Sequence, residues 1–229
     1  MATPRGRAVA TVVTALVIAL MAAACTPSGQ RYVKNSSDGV YFKIPDDWEL
    51  YDEDAILEFR EGDLSPGELD SLRETGWQVF FDAAPRPTLE HSAELLTDHP
   101  NGQARVLELD ADERDIVSMQ ALRNLVFPLD DLIEVDPSLV EIIDAKEINQ
   151  DGAHGVQFVY NIDSQVPALI SGGELDPGKR RFVTFNQAAL LDDANRKLYS
   201  LVISCEVSCY DENKGTIDDV VESWTVKDR

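Results

Sequence analysis

Apolar and polar positions first alternate regularly just after Gly39. Val40, Phe42 and Ile44 are interleaved with Tyr41 and Lys43, the period of a half-buried strand. Pro45-Asp46-Asp47 supplies a turn and Trp48 follows it. Ser65-Pro66-Gly67-Glu68 has the form of a capping box with proline at the first helical position, which predicts a short helix ending at Gly76. Trp77, Val79 and Phe81 then alternate as a second strand. Thr88 is placed to cap a helix carrying Leu89, Ala93 and Leu96 on one face. A strand over residues 104–109 leads to Asp110, with Glu113 three residues on, and predicts a helix that continues to Phe127, where Pro128 stops it. Residues 130–137 are acidic and read as a loop.

The second half reads as two hairpins. Residues 139–148 and 156–162 flank Asn149-Gln150-Asp151-Gly152, whose Asp-Gly step is a strong turn signal. Residues 181–191 and 197–205 flank Asp192-Asp193-Ala194-Asn195, and residues 172–179 form the loop between the two pairs. Near the end, Thr216 is the expected cap of a helix on which Ile217, Val220, Val221 and Trp224 fall on one face. A strand from Trp224 to Lys227 closes the pattern. Antiparallel strands with separate helices predict an α+β sandwich.

The segment before Gly39 is of another kind. Arg5 and Arg7 precede an uncharged run, residues 8–24, that ends in small residues. This is the order of a secretory leader. At about 17 residues the run is also at the short edge of a bilayer span, so a permanent anchor helix is the alternative, although no basic stop-transfer cluster follows. Ala22-Ala23-Ala24-Cys25 resembles the lipobox of bacterial lipoproteins, with Ala22 where leucine is commoner. That resemblance implies a diacylglyceryl group on the thiol of Cys25, removal of the leader, and fatty acylation such as palmitate. Each buried methylene contributes ~0.8 kcal/mol, and two chains anchor stably where one does not. The expected division is then a signal peptide over 1–24, a polar tether over 25–38 and one domain over 39–229. The localisation that follows is the extracytoplasmic face of the cell membrane.

Composition refines this picture. The 229 residues are 44% hydrophobic and 27% charged, with 20 Lys+Arg against 42 Asp+Glu. Loss of Arg5 and Arg7 with the leader leaves 18 basic residues and a net charge of −24. Such a surface repels nucleic acid and anionic head groups, so attachment to a membrane rests on lipid. An exported protein occupies an oxidising space, where the remaining pair, Cys205 and Cys209, points to a disulfide. A lone C-x-x-x-C brings too few ligands for zinc.

Motifs for chemistry fall short of their templates. Gly173 to Arg180 has the G-x-x-x-x-G-K frame, but Arg180 stands where Ser or Thr would hold magnesium, two acids lie inside, and an apparent strand follows. The expectation is no nucleotide. Asp110-Ala111-Asp112 begins like a calcium loop but has Asp115 at the glycine position and Ala121 at the closing glutamate. His91, His99 and His154 have no ligand spacing and read as solvent-exposed. No metal, cofactor or catalytic residue is expected. Asn35-Ser36-Ser37 matches a glycosylation sequon.

Two stretches, GVYFKIPDDWELYD and IDDVVESWTV, resemble the PsbP-like superfamily. This group includes the PsbP photosystem proteins, the Ran-binding Mog-type proteins and actinobacterial lipoproteins of the LpqN type. The resemblance rests on Gly39, Pro45 and Trp48 at the start and on Ser223 and Trp224 at the end. It implies an antiparallel sheet with helices on both faces, an insertion near 99–137, and protein partners at the envelope more than substrates. The expected function is therefore a non-catalytic binding or assembly partner. An envelope hydrolase with a site assembled from distant residues, and a small-molecule or lipid carrier, are the alternatives.

Overall fold

The structure is a computed structural model that describes residues 29–60 and 65–227. It is an α+β protein built on two antiparallel sheets. Strands β1 (Gln30–Asn35), β2 (Val40–Pro45) and β10 (Thr225–Val226) form the smaller sheet, in the order β1-β2-β10. The larger has seven strands: β3 (Glu49–Tyr51), β4 (Gly76–Asp82), β5 (Asn101–Glu108), β6 (Val140–Gln150), β7 (Ala153–Asp163), β8 (Phe182–Asp192) and β9 (Lys197–Glu206). Their spatial order is β3-β4-β5-β9-β8-β7-β6.

Both faces of the large sheet are covered, so its central strands lose their alternation. Every residue of β8 except Phe182 is buried. One face packs Phe42, Ile44, Trp48 and Phe81 with Leu190, Leu201 and Ile203. It is closed by the small sheet and by the long helix at the chain's end, residues Val207–Ser223. The other face gathers Leu122, Leu129, Leu139, Tyr160, Ile162 and Phe185 beneath short helices. In chain order the helices are α1 (Glu53–Arg60), α2 (Pro66–Thr75), α3 (Ala111–Ile116), α4 (Met119–Arg123), α5 (Leu129–Val135), α6 (Val166–Ile170) and the long α7.

Local chemistry explains most boundaries. Ser65 and Glu68 make the reciprocal cap of α2, and Asp110 and Glu113 do the same for α3. The β6–β7 turn places Gly152 at φ 76°, and the β8–β9 turn places Asn195 at φ 52°, conformations that glycine and asparagine tolerate best.

Several elements differ from expectation. Residues 30–35, read as tether, form β1 and pair with β2 from Gln30↔Pro45 to Asn35↔Val40; one apolar contact, Val33, suffices because the ladder satisfies the backbone. The sequon's Asn35 is buried, its amide donating to Asp38 at 2.6 Å. The segment expected as an insertion, 99–137, contains β5, which pairs with β4 on one side and β9 on the other. The helix expected from 111 to 127 is broken at Val117, because Ser118 caps a new helix by accepting from the Ala121 N–H. The expected loop at 130–137 contains α5, which buries Leu129 and Leu132. The helix expected after Thr88 is a single 3₁₀ turn, Leu89–Ala93. Helix α7 starts well before Thr216, since Cys209 and Tyr210 extend the apolar face of Ile217 and Val220 backwards.

Candidate functional site

The expected lipid-attachment residue, Cys25, lies outside the described residues. Among those described, no helix is long and apolar enough to cross a membrane. Cys205 is the penultimate residue of β9, and Cys209 sits in the first turn of α7; their sulfurs are at disulfide distance, 2.11 Å, and both are buried.

The sheet face under the short helices leaves one apolar cleft, about 260 Å³ in volume. Its floor is Phe80 of β4, Gln103 of β5, Phe185 of β8 and Val202 of β9; Leu95 and Phe127 are among its walls. These floor residues share a face by register, Phe80 lying opposite Gln103 and Gln103 opposite Val202. Phe127 meets Phe185 edge-on at 5.4 Å, and Phe185 stacks on Tyr160 at 5.4 Å. Burial pushes the Tyr160 hydroxyl up, and it donates to Gln187 Oε1 at 3.3 Å.

The wall formed by residues 92–95 is positioned by Asp82, the last residue of β4. Its carboxylate is 1% exposed, accepts the Ala84 and Thr88 N–H groups at 2.9 and 3.1 Å, and lies 2.6 Å from His91 Nδ1. This corrects the reading of His91 as a solvent-exposed loop residue: its side chain is 24% exposed and tied to a buried acid. His99 is the more exposed of the pair, 3.5 Å from Asp98. Two of the cleft's polar groups are used locally, while Glu94, Gln103 and Ser204 also line it. Ser92 Oγ donates to Leu89 O at 2.6 Å and Asn101 Nδ2 donates to Thr97 Oγ1 at 3.2 Å.

On the opposite face a buried polar chain runs beneath α7. Gln157 Nε2 donates to Asn186 Oδ1 at 2.9 Å, and Asn186 Nδ2 donates to the Tyr210 hydroxyl at 3.1 Å. Burial raises the Tyr210 pKa, with the Asn186 hydrogen bond opposing. The visible signal for this network was the amide pair Asn186-Gln187 inside an otherwise apolar run. No comparable signal marked Asp82 or His91, which are nine residues apart and joined only by the loop's path.

The phosphate-loop frame runs into β8. Lys179 pairs with Asp176 at 3.3 Å, and Arg180 donates from Nε to Asp163 at 2.6 Å and from Nη2 to Ser138 O at 2.6 Å. Arg180 is thus a clamp between the β7 end and the turn before β6. The calcium-like stretch is the α3 cap, with Asp110 accepting from the Asp112 and Glu113 N–H groups. Among the described residues, no three His, Cys, Asp or Glu side chains are grouped to hold a metal ion.

No protein-family model and no curated protein matches the chain. Among solved structures, it is similar to cyanobacterial PsbP (CyanoP) from Synechocystis at 16% identity and a TM-score of 0.41, over 88% of this chain and 95% of that one. It is also similar to the Saccharomyces cerevisiae Ran-binding protein Mog1p, at 14% identity and a TM-score of 0.45, over 87% and 96%. A third similar structure, a Pseudomonas aeruginosa protein of unknown function, has 10% identity and a TM-score of 0.38 over 88% and 100%.

Proposed function

We propose that this chain is a lipid-anchored extracytoplasmic lipoprotein of the actinobacterial LpqN type, working at the cell envelope as a non-catalytic binding or assembly partner. Its anchor is a diacylglyceryl group on Cys25, and Cys205 and Cys209 form a disulfide in the oxidising space outside the membrane. The motif Ala22-Ala23-Ala24-Cys25 behind a basic start supports the anchor. The observation that carries the binding role is the cleft itself: Phe80, Phe185 and Val202 make three of its four floor residues apolar, and Ser92 and Asn101 are spent on their own loop. Such a surface recognises shape and apolar area.

Labelling cells with an alkyne palmitate analogue tests the anchor. Wild type is expected to take up label and stay with membranes, and Cys25→Ala to lose both. In-cell crosslinking from a photoreactive residue at Phe127 is expected to capture an envelope protein. An unlabelled wild type that washes away in buffer would remove the anchor. Measured turnover by the purified chain would remove the binding role.

A hydrolytic reading has one observation in its favour. Asp82 orients His91 through Nδ1, as a carboxylate orients a general base. Among the described residues no hydroxyl or thiol is hydrogen-bonded to His91, so the pair serves the loop.

A further inference from the structure

Arg105 lies on β5, two residues beyond Gln103 on the same face, with Gln78 opposite on one side and Ser200 on the other. Its Nε is buried without a hydrogen-bond partner. No hydrogen bond or ion pair among the described residues involves its guanidinium. Burial, and then the like charge of Arg60 at the end of α1, hold it below its ordinary pKa. This is anomalous in a chain with 42 acids to 20 bases. A charge withdrawn from water is costly unless it is paired. The guanidinium fork matches a carboxylate in two parallel hydrogen bonds.

The apolar cleft begins at Gln103, one strand step of about 7 Å away. At about 260 Å³ the cleft is smaller than the roughly 300–1,000 Å³ of drug-sized sites, so an occupant must have a compact apolar body. We propose that the cleft and Arg105 form one binding site for a small organic carboxylate. The ligand's apolar body lies against Phe80, Phe185 and Val202, and its carboxylate reaches past Gln103 to Arg105, with Arg60 adding attraction. This rests on the binding reading above and names the ligand class.

Titration calorimetry of the purified chain with 4-phenylbutyrate and with 4-phenylbutan-1-ol tests it. The carboxylate is expected to bind about tenfold or more tightly than the alcohol, the range of a charge-assisted hydrogen bond. Arg105→Gln should bring the two affinities together, and Ser204→Trp, which fills the cleft, should weaken both. Without ligand, Arg105→Gln should raise Tm by about 3 °C, since an uncompensated charge is removed. Equal affinities in wild type, or no binding of either probe at millimolar concentration, would overturn the site. So would a fall in the Tm of Arg105→Gln, which would mean that the guanidinium is neutralised from within the chain. None of these results touches the palmitate labelling of Cys25, so this site and the anchored reading fail separately.

Discussion

Replacing Arg180 by alanine strips the partner from a carboxylate that has no access to water. The Asp163 side chain is 0% exposed and that of Arg180 is 31% exposed. Arg180 Nε donates to Asp163 Oδ2 at 2.6 Å, and its terminal nitrogens donate to Ser138 O and Oγ at 2.6 and 3.2 Å. The guanidinium also lies 5.4 Å over the Phe182 ring. Removing one partner of a buried pair costs about 3–5 kcal/mol, chiefly through the charge left behind. Asp163 keeps the Gln165 N–H at 3.0 Å, and water can follow the half-exposed arginine out, so the lower end, about 3 kcal/mol, applies. For a chain of this size that is a Tm fall of about 6–12 °C. Asp163→Asn should cost less, about 1–2 kcal/mol, because the amide oxygen still accepts and the arginine can turn to solvent. Urea unfolding followed by the fluorescence of Trp48, Trp77 and Trp224 measures both single variants and the double. A cost for Arg180→Ala below about 1 kcal/mol, the value of a surface pair, would refute the reasoning. So would single effects that simply add in the double variant.

Other perturbations have equally direct readouts. A Cβ on Gly155 would lie 1.9 Å from Ala189 O and 2.8 Å from Leu190 Cα, so Gly155→Ala must prise β7 from β8; we expect a loss of at least about 2 kcal/mol in urea unfolding. Hydrogen bonding from Gln120, with help from Asn124 and Arg123, holds the Asp130 carboxyl below its ordinary pKa. Because that pKa is depressed on folding, the stabilisation is present above the unfolded value, about 3.9, and is lost as pH falls through the folded one. Asp130→Asn should therefore flatten the decline in Tm between neutral pH and about pH 2 relative to wild type. A disulfide between Cys205 and Cys209 would close a very short loop, for which chain entropy gives about 2 kcal/mol. Reduction should destabilise by that amount, and alkylation followed by mass spectrometry should label neither cysteine before reduction and both after it.

Features set by local rules were legible in the sequence. The alternation of Val40, Phe42 and Ile44, the boxes at Ser65 and Asp110, and the turn at Asp151-Gly152 depend on neighbours within a few residues. All of these appear where expected. The misreadings share a different cause. Strand β1 is polar because it lies at the edge of a small sheet, where the ladder rather than apolar burial holds it. Ser118 reads equally well inside a helix or as a cap, and the choice is made by Leu122, which is drawn under the sheet. Gly215 lies inside α7 just before the expected cap Thr216, with nothing within 4 Å of its missing side chain. A solvent-facing glycine costs only about 1 kcal/mol, and the packing of Cys209 and Tyr210 outweighs it. The candidate site was the least legible part. Phe80, Gln103, Phe185 and Val202 come from four strands whose order in space, β4-β5-β9-β8, does not follow their order in the chain.

That strand order also accounts for the cleft's position. A sheet apolar on both faces must be covered on both, but the two covers here are unequal. Helix α7 has 17 residues and at 1.5 Å per residue spans about 26 Å, enough to cross several strands without a break. Helices α4, α5 and α6 have five, seven and five residues, about 8–10 Å each, so each shields only the patch beneath it. Leu122, Leu129, Leu132 and Val166 anchor them over β6, β7 and β8, while α1 and α2 lean on β4. Between these two groups, over β5 and β9 in the middle of the sheet, lies the loop that Asp82 holds in place. The gap in the cover and Arg105, unpaired among the described residues, therefore fall on the same strand. The short helices that break the face into patches are what leave an open cleft on it.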